Sequence, residues 1–126
     1  MKLRIRGNSL RLRVTRPELE QLASGRPVIE GLSFAAGVQL RYELSVDAAA
    51  TALKASYVDD MIRVRIPAAE FRQWQREDQV SLRAAQATGA SGELLLLVEK
   101  DFACLTPRAG EDESAAFAHP AGPKAC

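Results

Sequence analysis

Leu10-Arg-Leu-Arg-Val14 and Ile62-Arg-Val-Arg-Ile66 read as one strand written twice. Each alternates an apolar residue with arginine, the period of a half-buried β-strand. Overlaid at an offset of 52 residues without a gap, Lys2–Asp47 follows the pattern of Lys54–Glu99. Glu18, Gln21 and Val28 fall on Glu70, Gln73 and Val80, and Gly37, Leu44 and Val46 fall on Gly89, Leu96 and Val98. Self-similarity at a fixed period is an architectural signal, because each copy is one supersecondary unit that needs the other to cover its apolar face.

Working outward, Lys2–Arg6 also alternates, and Gly7-Asn8 separates it from Leu10–Val14 as a hairpin turn. Thr15, Pro17 and Glu18 make an N-cap, an early-helix proline and a capping box for a helix over Arg16–Ser24, stopped by Gly25. Strands follow at Val28–Phe34 and Gln39–Val46. The second copy repeats the order: strands at Leu53–Val58 and Met61–Ile66 across Asp59-Asp60, a helix from Pro67 to Gln75, and strands at Val80–Ala85 and Glu93–Glu99. The expected fold class is α+β: duplicated β-β-α-β-β units, copies 2–47 and 54–99, forming an eight-stranded, mainly antiparallel, barrel-like sheet with two short helices in a domain over 1–100. Residues 101–126, with prolines at 107, 120 and 123 and the run Glu111-Asp112-Glu113, read as an irregular tail packed on that domain.

Area drives the barrel expectation. Eight strands at ~4.8 Å spacing and ~20 Å length present roughly 750 Å² of apolar face. Two nine-residue helices, ~14 Å long and ~10 Å wide, cover less than half of it. The face must curl on itself, or a homodimer must cover it. Leu94-Leu-Leu-Leu-Val98 is apolar on both sides, as a central strand or one covered on both faces would be.

The chain has 126 residues, 47% hydrophobic and 26% charged, with a net charge of +1, so one ordinary globular domain is expected. Near-neutral charge argues against a general nucleic-acid binder. The longest apolar run is far too short to span a bilayer, and Met1–Arg6 holds no continuous apolar segment of a signal peptide. A cytoplasmic location is therefore expected, where Cys104 and Cys126 would be reduced thiols.

Two constellations could carry chemistry. Ten of the 17 Lys and Arg residues sit opposite the apolar stripes, among them Arg4, Arg6, Arg11, Arg13, Arg63 and Arg65. Guanidinium forks suit carboxylate and phosphate oxygens, so these residues are the candidate site for a phosphate-containing anion. Strand alternation alone also produces a charged outer face. The face carries no aromatic residue, which counts against single-stranded nucleic acid. The second constellation is Asp101, Cys104, His119 and Cys126, a candidate zinc set of unfamiliar spacing. No G-x-S-x-G, P-loop or H-E-x-x-H occurs, so no catalytic residue is assigned.

Lys2-Leu-Arg-Ile-Arg-Gly-Asn-Ser-Leu-Arg-Leu-Arg-Val14 and Leu96-Leu-Val-Glu-Lys-Asp-Phe-Ala-Cys-Leu-Thr-Pro-Arg108 resemble the signatures of a family of short, uncharacterised bacterial proteins over nearly the whole chain. That resemblance implies no activity; it implies that Glu99–Leu105 belongs to the domain. The duplicated units with alternating basic residues are also similar to the triphosphate tunnel hydrolases, which implies a polyphosphate held inside a polar barrel. Their first strand carries E-x-E-x-K, and Lys2-Leu-Arg-Ile-Arg6 lacks those metal-holding carboxylates. The functional expectation is a small non-enzymatic binding or interaction domain, with a phosphate-ester or polyphosphate hydrolase and a zinc-stabilised module as alternatives.

Overall fold

The computed structural model describes residues 1–76, 78–102, 117, 118 and 120. Its element order is β1 (Lys2–Arg6), β2 (Ser9–Val14), α1 (Arg16–Ala23), β3 (Val28–Ala35), β4 (Val38–Asp47), β5 (Lys54–Val58), β6 (Met61–Pro67), α2 (Ala68–Trp74), β7 (Ser81–Ala87) and β8 (Glu93–Lys100). The fold is α+β.

Local chemistry explains the elements. At the head of α1 the Glu18 N–H donates to Thr15 Oγ1 at 3.4 Å, and the Thr15 N–H donates back to Glu18 Oε1 at 2.9 Å. That reciprocal pair satisfies two orphan donors of the first turn. The β1–β2 hairpin turns on Gly7 at φ 55°, and the β5–β6 hairpin on Asp59 and Asp60 at φ 52° and 58°. Two successive positive φ values are the demand of a type I′ turn, whose twist matches that of its strands.

The eight strands do not close into a barrel. They form two four-stranded sheets, in the orders β1-β2-β8-β7 and β3-β4-β6-β5. Each sheet joins an antiparallel hairpin from one half of the chain to a hairpin from the other through a central parallel pair, β2 with β8 and β4 with β6. Closure would need ladders between β1 and β3 and between β5 and β7. No ladder forms at either gap, and other polar groups bridge them instead. In one, Gln86 Oε1 accepts from the Ala55 N–H and Gln86 Nε2 donates to the Ala55 carbonyl, both at 2.8 Å. In the other, the Met1 ammonium bonds Glu18 of α1 and Glu30 of β3, the latter at 2.7 Å.

The gapless offset also needs correcting. The β1–β2 register recurs in β5–β6 at an offset of 52, with Lys2 opposite Arg13 and Lys54 opposite Arg65. Beyond the helices, the counterpart of Val28 opposite Leu44 is Leu82 opposite Val98, an offset of 54. The helix-to-strand connection is two residues longer in the second half, at 75–80 against 24–27.

One core lies between the sheets. Leu12 and Val14 of β2 and Val98 of β8 meet Leu44 of β4 and Val64 and Ile66 of β6. Leu19 and Leu22 of α1 and Phe71 and Trp74 of α2 join the same cluster. The Trp74 ring is fully buried, sits edge-on to Phe71, and its Nε1–H donates to the Val80 carbonyl at 3.1 Å. Strand β8 is central in its sheet, as its apolar run implies, yet Leu95 on its outer side is 53% exposed.

Candidate functional site

Alternation decides which side chains face out. On the first sheet, Lys2, Arg4 and Arg6 of β1 stand beside Ser9, Arg11 and Arg13 of β2, with Leu95, Leu97 and Glu99 of β8 next and Arg83 of β7 beyond. The register sets like charges directly opposite one another: Lys2 faces Arg13 and Arg4 faces Arg11. Such pairs disfavour the folded state unless an anion lies among them. Glu99 supplies part of that charge, accepting from Arg13 Nε at 2.6 Å and lying 3.5 Å from Arg11 Nε. Asp101 reaches Lys2 Nζ at 3.3 Å. Arg4 and Arg6 have no ion pair among the described residues. With Ser9 and Arg11 they line a depression of about 140 Å³.

Arg63 and Arg65 do not join this cluster. They lie on the other sheet with Arg41 and Lys54, and Arg63 pairs with Glu43 at 3.8 Å. The two arginine groups thus occupy opposite outer faces, with the apolar core between them. The interior that a tunnel hydrolase would fill with polyphosphate is filled with Leu, Val, Ile and Trp side chains.

Of the candidate zinc set, Cys104, His119 and Cys126 lie outside the described residues, as does the acidic run at 111–113. Asp101 is described: its N–H donates to the Val14 carbonyl at 2.8 Å, and its carbonyl accepts from the Phe117 N–H at 2.6 Å. Phe117 packs on the core and forms a bridge with Phe102, so this part of the C-terminal region is docked on the domain. Among the described residues no cluster of three metal-ligating side chains occurs.

Three features were not anticipated from the sequence. All four central strands begin at one end of the molecule and finish beneath the helices. At the starting end the sheets leave a groove of about 510 Å³, walled by Ile5, Leu40, Tyr57, Ile62 and Leu94. The signal was present: these residues continue the apolar stripe beyond the reach of two short helices. The second is Lys100, 3% exposed, whose Nζ donates to the Arg76 carbonyl at 2.6 Å and lies 5.4 Å from the Phe117 ring. It follows Leu94, Leu96 and Val98 on the core face, where the strand's alternation carried one residue past Glu99 places it. The third is the polar cluster at the β1–β3 gap. Tyr42 donates to Glu30 Oε2 at 2.9 Å, and its hydroxyl oxygen also lies 3.3 Å from the Met1 carbonyl oxygen. Burial and the bond to Glu30 push the Tyr42 hydroxyl up to about 12. Burial by itself would lower the pKa of the Met1 ammonium; hydrogen bonds and charge from Glu18 and Glu30 outweigh it and hold the group above 8.0.

A family model described as a family of unknown function (DUF7009) matches residues 1–121. The chain belongs to DUF7009. The match extends past β8 and covers the segment containing Phe102 and Phe117, consistent with their packing on the domain. No curated protein and no solved structure matches the chain. No helix among the described residues is long and apolar enough to cross a membrane.

Proposed function

We propose that this DUF7009 protein is a non-enzymatic binding domain that holds an oxyanion, phosphate in its simplest form, on the outer face of the β1-β2-β8-β7 sheet. The carrying observation is the position of Arg4 and Arg6. Both are exposed beside Arg11 across a like-charge register, and neither has an ion pair among the described residues. An oxyanion there would relieve the repulsion and receive charge-assisted hydrogen bonds from guanidinium groups. The Ser9 hydroxyl already donates to the Arg6 carbonyl at 2.6 Å, which leaves its oxygen as an acceptor and the arginines as the donors. We propose also that the two halves descend from one duplicated β-β-α-β-β unit. The swapped hairpin pairing and the repeated Lys2–Arg13 and Lys54–Arg65 registers support that reading.

Calorimetric titration with inorganic phosphate and pyrophosphate at low ionic strength tests the binding proposal. The double variant R4A/R6A should lose at least about tenfold in affinity, the equivalent of one charge-assisted bond. R41A/R65A on the opposite sheet should change it little. Equal effects from the two variants, or no binding by the unaltered protein, would refute the proposal.

A further inference from the structure

The groove and the arginine cluster share a wall. The β1–β2 hairpin forms one lip of the groove, with Ile5 on the inner side and Arg4 and Arg6 on the outer side, and Ser9 lines both the groove and the arginine depression. Among the described residues, none lining the groove is charged. Its polar side chains are mostly engaged within the protein: Gln86 with the Ala55 backbone, Asn8 Nδ2 with the Glu93 carbonyl at 2.8 Å, and Thr88 with the Gly92 carbonyl. What remains to meet an occupant is hydrocarbon, and Ile5 and Tyr57 stand 60% and 63% exposed at its sides. A volume of about 510 Å³ falls within the range of small-molecule sites. An apolar trough that ends at arginines without an ion pair among the described residues is complementary to a molecule with a hydrocarbon body and an anionic head.

We infer that the anion bound by this domain is the head of a single-chain amphiphile, an alkyl or acyl chain bearing a phosphate, whose tail lies in the groove between the sheets. This rests on the oxyanion reading above. The head sits at Arg4, Arg6 and Arg11; the tail passes the Gly7-Asn8 turn and covers Ile5, Tyr57 and Leu94. The turn's Gly7 presents no side chain at that crossing, and nothing lies within 4 Å of where its Cβ would stand.

The test titrates the full chain with inorganic phosphate, butyl phosphate, decyl phosphate and decanol, each below the concentration at which it self-associates. Affinity should rise about fourfold per methylene over the first few carbons. Ile5→Gln, at an exposed position, should take about tenfold or more from decyl phosphate and leave inorganic phosphate unchanged, whereas R4A/R6A should weaken both. If all the phosphates bind alike and all respond to R4A/R6A, the tail assignment falls and the oxyanion reading stands. If decanol matches decyl phosphate and R4A/R6A changes neither, both fall. A dimer in sedimentation that Ile5→Gln dissociates would assign the groove to a second copy of the chain and overturn the inference.

Discussion

Glu30 connects two groups that each depend on its charge. It accepts from the Met1 ammonium and from Tyr42, and both partners have pKa values raised in the folded protein. A group whose folded pKa exceeds its unfolded value adds stability that is whole below the unfolded pKa and disappears as pH climbs through the folded one. For the ammonium the loss begins above pH 8; for Tyr42 it spans pH 10 to about 12. Urea midpoints should therefore hold from pH 6 to 8 and decline on the alkaline side. Glu30→Gln should lower stability at pH 7 by up to about 1 kcal/mol and flatten that decline, since these exposed or half-buried pairs are individually weak. An alkaline decline as steep in the variant would show that other groups cause it. At the β5–β6 turn, Asp60 holds a left-handed conformation that costs a residue with a Cβ and not glycine. Asp60→Gly should raise stability by about 0.5–1 kcal/mol in the same denaturation assay, the weak Tyr57 hydroxyl contact to Asp60 at 3.3 Å notwithstanding.

Among the elements, the connection across the β5–β7 gap depends on Gln86. Its amide supplies a donor and an acceptor to one backbone position of the neighbouring sheet. Gln86→Ala should cost about 1–3 kcal/mol, two ordinary hydrogen bonds. Gln86→Glu should do little better, because a carboxylate can satisfy the Ala55 N–H but repels the Ala55 carbonyl. Recovery of full stability in the glutamate variant would refute this account. Strand periods, the capping box at Thr15 and the turn at Gly7-Asn8 were all legible in the sequence because each is set by neighbours along the chain. The extra two residues in the connection before β7 were not, and the reason is physical. A strand pattern has period two, so a slip of two leaves apolar on apolar and polar on polar. Leu44 matches Leu96 in the gapless overlay as well as it matches Val98 by ladder register.

For the whole molecule, apolar area required the apolar faces to be covered, but it does not distinguish one sheet curling on itself from two separate sheets facing each other, which is what the chain forms. That choice lies in the strand edges, where a glutamine and an ammonium replace a ladder, and alternation carries no information about edges. The arginine rows were legible as outward-facing; their division between opposite faces was not, because it follows from which hairpins share a sheet. The single core predicts single cooperativity. Leu12→Ala in one sheet and Leu44→Ala in the other should each cost about 2–5 kcal/mol and shift one common transition seen in far- and near-ultraviolet circular dichroism. Two separable transitions would mean that the layers fold independently.

Trp74, the only tryptophan, closes the second helix with its ring fully buried, at the far end of the strands from the groove. Its emission is consequently a reporter of global unfolding that is nearly deaf to events at the other pole. A ligand settling beside Tyr57 would leave that emission in place while altering the tyrosine signal. One unlabelled sample thus carries two optical channels, one for folding and one for occupancy.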